Sequence, residues 1–309
     1  MKGTSVKNLK LKKVIDGDTI KVLLNNEEES IRFTCLDTEE SQHGGDKPVT
    51  KAGILASKWA KQYFGVNDQG FPNGDIRVDL EFDTNDPVQV CLDKHRDNYG
   101  RLLCYVYKAG ESENSNVRIV QEGWSPYFVK YGRSRLYHRQ FVEAEVAAQA
   151  QGIAIWNPKT NAGDNRRDYT TLIPWWHLRD SVIQDYRHLG IQAGVLSVRL
   201  DYNHLVKAAQ AGNEVTVFCD LQSGINQWTG NGALIYAGSK FQKFNLWIPD
   251  KDSASAQTIL RLIETRYANL GRGYVYVSGA ASLYPPNAEG KPQIVLREFK
   301  QIADFPPGE

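Results

Sequence analysis

The sequence predicts an α+β fold made of two small β-rich units joined by a loop-and-helix linker. Three observations lead there. The 309 residues are enough for two domains with separate cores. Short runs that alternate apolar and polar residues recur along the chain, the period-two signature of strands. The texture changes over KTNAGDNRRDYTTLIPWWHLRDSVIQ, so residues 1–157, 158–185 and 186–309 read as first domain, linker and second domain.

In the first domain, VKNLKLKKVI, DTIKVLL and SIRFTCL read as strands, the first two separated by Asp16-Gly17 and the last two by the polar NNEEE turn. Asp-Gly between two alternating runs is a hairpin signal, so turn chemistry alone would account for Asp16-Gly17-Asp18. KAGILASKWAKQYF has Ala52, Ala56, Trp59, Ala60 and Tyr63 at helical spacing, which predicts an amphipathic helix with Trp59 toward the core. NDQGFPNG is a loop by its Gly and Pro content. IRVDLEF, VQVCLD and RLLCYVYKA read as strands, with the polar turn KHRDNYG before the last. VRIVQEGW predicts a short helix ending at Gly123, and Ser134 to Gln151 a longer one with Tyr137, Phe141, Ala144 and Ala148 on one stripe.

In the linker, Trp175 and Trp176 begin a helix, and the pair suits docking between elements or, if exposed, stacking on bases. Beyond Tyr186 come GVLSVRLD, EVTVFCDL, GALIYAG and FQKFNLWIP as strands. The helix SASAQTILRLIETRYANL follows, then strands GYVYVSGAASLY and PQIVLREF. A core order of three strands, one helix and two strands is the layout of an OB-fold, a five-stranded Greek-key barrel.

Composition bounds function only loosely. Net charge is +1, so attraction for phosphate would have to come from local clusters such as Lys7 to Lys13 or Arg133, Arg135 and Arg139, which solvation of a surface also explains. Cys35, Cys91, Cys104 and Cys219 lack metal-site spacing and sit in β-like runs, as buried thiols do. The six histidines are scattered without a metal-binding motif, and there is no nucleotide-binding glycine loop.

The stretch from Val14 to Glu40 is different. It gathers Asp16, Asp18, Arg32, Asp37, Thr38 and Glu40 within about two strand lengths, and Arg101 stands in a second motif, DNYGRLLCYVY. Hard oxygen ligands, guanidinium donors and a spare carboxylate are the parts needed to hydrolyse a phosphodiester with a bound Ca²⁺ or Mg²⁺. Strict alternation would put Arg32 and Asp37 on opposite faces, so a bulge or strand end is expected between them.

Residues 6–157 resemble a staphylococcal nuclease (thermonuclease) family domain. The resemblance rests on VIDGDTIKV, on Arg32 through Glu40, on Asp97-Asn98-Tyr99-Gly100-Arg101 with its following strand, and on the terminal helix with GIAIW. It implies an OB-fold-like barrel of nuclease type for the first domain, and GYVYVSGAASLYPPNAEGKPQIVLREFKQI resembles the last two strands of bacterial OB domains, so two OB-fold-like five-stranded barrels are expected. It further implies metal ligation by Asp18, Asp37 and the Thr38 carbonyl, with Asp16 behind them. Glu40 would be the general base, Arg32 and Arg101 the phosphate-gripping donors, and Tyr99, Tyr127 and Tyr131 the substrate-contacting aromatics. Two departures, Glu39 in place of a proline and Asn98 in place of a lysine, make the site less basic.

The resulting expectation is a Ca²⁺-dependent nuclease, with Mg²⁺ or Mn²⁺ as alternative ions. It would act on DNA or RNA with little sequence preference and leave 3′-phosphate and 5′-hydroxyl ends. The second domain would hold single strands. The alternative is an inactive nucleic-acid-binding adaptor on the same fold, and the second domain could instead take protein or saccharide. A monomer without membrane contact is expected. The N-terminus has lysines but no apolar core, so no signal peptide is expected in this chain, although a weak Ca²⁺ site would suit an extracellular or periplasmic setting.

Overall fold

The computed structural model describes residues 1–43, 47–163 and 165–308. The chain divides into two compact units, Met1–Val129 with Arg133–Thr170, and Lys130–Gly132 with Thr171–Glu309. Among the described residues no helix is long and apolar enough to cross a membrane.

The first unit is a closed barrel. Its strands are β1 (Ser5–Val14), β2 (Thr19–Leu24), β3 (Glu27–Phe33), β4 (Arg77–Glu81) and β5 (Leu102–Lys108), in the order β1-β2-β3-β5-β4. β1, β2 and β3 form the expected meander, and β3 pairs in parallel with β5, Arg32 opposite Leu103. Leu11, Ile20, Val22, Ile31, Phe33, Val78, Leu80 and Val106 fill the interior and leave the alternate positions outside.

Helix α1 (Lys51–Phe64) starts where Thr50 accepts a hydrogen bond from Gly53 N and stops at Gly65 in the left-handed region. Its buried stripe is Ala52, Gly53, Ala56, Ser57, Ala60 and Phe64. Trp59 is not in that stripe: it is half-buried and stacks on Tyr63.

VQVCLD, expected as a strand, is helix α2 (Val88–Lys94). Its alternation is too short to separate strand from helix. Pro87 stands at its N-cap, and β4 and β5 already pair with each other, leaving no gap in the barrel for another strand. Helix α3 (Ser115–Gln121) begins two residues before VRIVQEGW and ends two residues before Gly123. Helix α4 (His138–Gln151) begins four residues later than expected, because Asp83 takes the backbone N–H groups of Arg135 and Leu136.

In the second unit the first helix is α5 (Tyr169–Asp185), which begins within the first unit and carries Trp175 and Trp176. Both tryptophans are buried, and Trp175 Nε1 donates to Gly271 O at 2.8 Å, so neither offers a face to a base. GVLSVRLD yields only the two-residue strand β6 (Leu196–Ser197). Helix α6 (Tyr202–Ala211), unread in the sequence, follows with Leu205, Ala208 and Ala209 buried.

The remaining elements are β7 (Glu214–Asp220), β8 (Gln227–Thr229), β9 (Gly232–Tyr236), β10 (Asn245–Ile248), α7 (Ala254–Leu262), β11 (Tyr274–Tyr284), β12 (Lys291–Val295) and β13 (Ile302–Ala303). Sheet order is β6-β7-β11-β12-β10-β9-β8, with β13 beside β11. Counting β7 and β8 as two halves of one strand interrupted at residues 221–226, this is the order of the first barrel. The parallel third–fifth pairing recurs in β10 and β12, and a helix again lies between the third and fourth strands. Val217, Cys219, Ile235, Leu246, Ile259, Val275, Val277 and Ile294 share one core inside it.

Asn116 ties the first barrel together where the site will lie. Its side chain accepts from Val106 N at 2.9 Å and donates to Thr34 O at 2.9 Å and Cys104 O at 3.1 Å, fully buried. Asn116→Ala strips partners from three buried backbone groups and is expected to cost about 2 kcal/mol. A lower urea midpoint with unchanged slope would register that loss.

Candidate active site

The hairpin register brings the acids to the arginine. β2 begins immediately after Asp16-Gly17-Asp18, and Thr19 pairs with Arg32 across the sheet. Phe33 N donates to Asp18 O at 2.9 Å, which fixes the approach. Gly17 is required there, since a Cβ would stand 2.7 Å from the Thr38 methyl group. The Asp-Gly pair is thus both a turn and a close approach between two loops.

β3 ends at Phe33, and Cys35 takes a φ of 62°, in the left-handed region. That kink resolves the parity of Arg32 and Asp37. The strand stops, the chain turns, and Asp37 comes back to the guanidinium. Arg32 Nη1 donates to Asp18 Oδ1, while Nη2 donates to Asp37 Oδ1 at 2.7 Å and to Leu36 O at 3.1 Å. One guanidinium therefore bridges two buried carboxylates.

The network extends outward from that bridge. Asp18 Oδ2 accepts from Thr38 N at 2.7 Å and Thr38 Oγ1 at 2.9 Å, and Asp18 N donates to Asp16 Oδ1 at 3.1 Å. Asp37 N donates to Ser125 Oγ at 3.0 Å. Arg101, just ahead of β5, is braced by Asp97 through Nε at 2.7 Å. Its Nη1 donates to Thr19 Oγ1 at 3.2 Å, and Thr19 Oγ1 donates in turn to Asp18 Oδ1 at 3.1 Å. Arg32, Arg101, Asp16, Asp18, Asp37 and Thr38 thus form one connected cluster.

Glu40 follows on the same loop. Its backbone is held by a parallel bridge to Val49 and by Thr50 N, which donates to Glu40 O at 3.1 Å. Helix α1 can come this close only because Gly53 has no side chain; a Cβ there would lie 2.1 Å from Glu40 O. Among the described residues the Glu40 carboxylate makes no hydrogen bond or ion pair, so nothing ties it to the cluster.

The tyrosines separate. Tyr99 is 69% exposed, its ring 5.4 Å from the Arg101 guanidinium. Tyr127 is a core residue: it is 4% exposed, stacks on Phe141 at 4.8 Å, and its hydroxyl meets His138 Nδ1 at 2.9 Å and Ser134 N at 2.9 Å. A ring so enclosed has no face for a base, which corrects the sequence expectation. Tyr131 is half-exposed, in the Lys130–Gly132 segment that clusters with the second unit.

Two cations in the site were missed in the sequence. Lys47 Nζ lies 3.2 Å from both Asp37 oxygens. Arg167 Nη1 donates to Asp37 Oδ2 and to Asp37 O, each at 2.9 Å, and Nη2 to Thr38 O at 3.2 Å. The only trace of Arg167 in the sequence is an arginine pair in a polar segment read as linker.

Charge states follow from this packing. Burial alone would raise the Asp37 carboxyl, but Arg167, Arg32 and Lys47 outweigh it and hold the group well below the ordinary carboxylate range. Asp16 goes the other way: burial, helped by the Asp18 charge, pushes it up to about 7. Burial opposes the charge on Arg32, yet Asp18, Asp37 and Asp16 keep it more firmly protonated than usual.

Among the described residues no three His, Cys, Asp or Glu side chains meet in a group that could hold a metal ion. The oxygens gathered around the two guanidiniums are the Asp18 and Asp37 carboxylates, on Arg32, and the Thr38 carbonyl, on Arg167. Those oxygens suit a hard divalent ion, and Arg32 and Arg167 cover them with positive charge. Removing the bridge in Arg32→Ala leaves Asp18 and Asp37 without the cation they share. A loss of about 3 kcal/mol is expected, as a lower urea midpoint with unchanged slope would register.

Residues 30–158 match the staphylococcal nuclease homologue family. Endonuclease YncB of Bacillus subtilis is 34% identical over 164 residues, covering 51% of this chain and 67% of that protein. The SPbeta prophage-derived endonuclease YokF, also of Bacillus subtilis, is 33% identical over 150 residues, 48% of this chain but only 43% of its own length. Thermonuclease of Staphylococcus intermedius is 31% identical over 146 residues, 47% of this chain and 74% of that protein. With this identity over most of the length of two such proteins, and with a closed barrel carrying the matched segments, the chain belongs to the staphylococcal nuclease family.

Proposed function

We propose that the chain is a Ca²⁺-dependent nuclease that hydrolyses phosphodiesters of DNA or RNA with little sequence preference. The observation that carries this reading is the single network joining Asp18, Asp37, Thr38, Arg32 and Arg101, with a Glu40 carboxylate on the same loop that has no partner among the described residues. The names of the relatives, endonuclease and thermonuclease, support it.

In this reading Asp18, Asp37 and the Thr38 carbonyl would hold the ion, and water would complete its roughly six to eight oxygen ligands. When bound, Ca²⁺ supplies positive charge against a phosphate. Arg32 and Arg101 offer planar paired donors to non-bridging oxygens and offset the negative charge that builds up in the five-coordinate transition state. Glu40 orients a water for attack and takes its proton. Its lack of a structural partner leaves the carboxylate available for that task. Asp97 keeps the Arg101 guanidinium in place before substrate arrives. Tyr99 presents an exposed ring to a base or terminal phosphate.

Purified Glu40→Gln and Arg101→Ala are expected to lose about 10²-fold or more in kcat while keeping the wild-type circular dichroism spectrum. Cleavage of plasmid and single-stranded DNA, with Ca²⁺ or with EDTA, is the assay. Cleavage in EDTA equal to that in Ca²⁺ would remove the metal from the reading, and binding without cleavage would favour the adaptor.

The second barrel is assigned to holding single strands. Trp228 on β8 is 53% exposed with Lys251 Nζ 5.6 Å from its ring, and the exposed Tyr236 on β9 donates its hydroxyl to Gln227 Oε1 at 3.1 Å. An aromatic face beside a cation is the pairing that binds a base and its phosphate. Trp228→Ala in the full chain is expected to weaken binding of a labelled oligonucleotide by about 1–3 kcal/mol, read by fluorescence anisotropy. Unchanged anisotropy would point the second barrel at protein or saccharide.

A further inference from the structure

We propose that Arg167 is a resident cation of the metal centre, a latch on the ligand oxygens that a divalent ion must displace. The inference rests on the reading of Asp37 and Thr38 as metal ligands. All three of the contacts that Arg167 makes in the loop go to oxygens of those two residues: Asp37 Oδ2, Asp37 O and Thr38 O, at 2.9, 2.9 and 3.2 Å. A planar fork of donors is matched to such a set. The guanidinium is enclosed, with 14% of the side chain exposed, so solvent does not screen the contact.

A second anchor lies two residues on. The Tyr169 hydroxyl donates to Glu39 Oε1 at 2.8 Å, and Glu39 is itself 2% exposed. Its other oxygen, Oε2, is buried and has no hydrogen-bond partner among the described residues. Residues 167 and 169 therefore clamp Asp37, Thr38 and Glu39 from outside. Both lie beyond residues 30–158 that match the family model.

Guanidinium and metal ion compete because they seek the same oxygens and repel each other. If the latch is closed in nine molecules out of ten, the apparent affinity for the ion falls about tenfold below that of the open site. Arg167 acts here as a positioning residue: it holds the loop in its ligating shape before the ion arrives and withdraws when it binds.

The test is Ca²⁺ affinity by isothermal titration calorimetry, with melting temperature in EDTA as a second readout, on the full chain. Arg167→Gln is expected to bind Ca²⁺ about tenfold more tightly while melting at a lower temperature in EDTA, since it gives up the ion pair but opens the site. Arg167→Lys keeps the charge but cannot span both carbonyls, and its affinity should fall between the two. Should Arg167→Gln prove unstable, Tyr169→Phe loosens the clamp without touching the ligands and should tighten Ca²⁺ binding in the same direction. Wild-type Ca²⁺ binding with unchanged or weaker affinity in these variants overturns the latch alone. Absence of Ca²⁺ binding in wild type and variants alike overturns the metal reading, and the latch with it.

Discussion

The first barrel is organised by one guanidinium between two carboxylates. Asp18 and Asp37 are buried, and two negative charges in such a place repel each other strongly. Arg32 relieves that repulsion by donating to both. Neighbouring details serve the same junction: the turn at Asp16-Gly17, the left-handed Cys35, Thr38 capping Asp18, and Ser125 behind Asp37. A buried cluster like this is a poor source of stability by itself. Its cost is met by the apolar barrel that encloses it, and what it provides is a charge array already assembled when a ligand arrives.

Much of this was legible because the sequence signals were local. Alternating runs on either side of Asp16-Gly17 gave the hairpin, and the hairpin register sets Thr19 opposite Arg32. The three-strand, helix, two-strand order gave the barrel layout of the first unit, and the sheet of the second repeats its strand order. Arg167 and Lys47 were not legible, because their roles depend on contacts made across a long stretch of chain or an irregular loop, where no periodicity points. Tyr127 misled for a related reason. An aromatic residue in a loop reads the same whether its ring faces water or packs on Phe141. VQVCLD failed because a short apolar alternation carries no arbitration between helix and strand.

The second unit repeats the strand order of the first without its charge cluster. Its buried ion pair is a different one: Arg179, fully enclosed, pairs with Asp220 at 2.6 and 3.1 Å and lies 4.4 Å from the Tyr274 ring. That pair fastens α5 to β7 and β11, with the guanidinium enclosed and the Asp220 side chain 29% exposed. The same strand order thus carries a loop-borne acid–arginine network in one unit and a helix-to-strand ion pair in the other. The difference lies in whether loop residues, rather than a packed helix, meet the buried arginine.

The parallel pairing of β3 with β5 has a consequence for synthesis on the ribosome. Arg32 and Arg101 come together only when residues 31–33 find 102–104, a pairing that closes a long loop and forms late. Until the fifth strand has emerged from the exit tunnel, the acids and the first guanidinium are present but the second guanidinium has no place to dock. In a nascent chain the acid–arginine cluster is therefore incomplete, and it is assembled only with the closing strand.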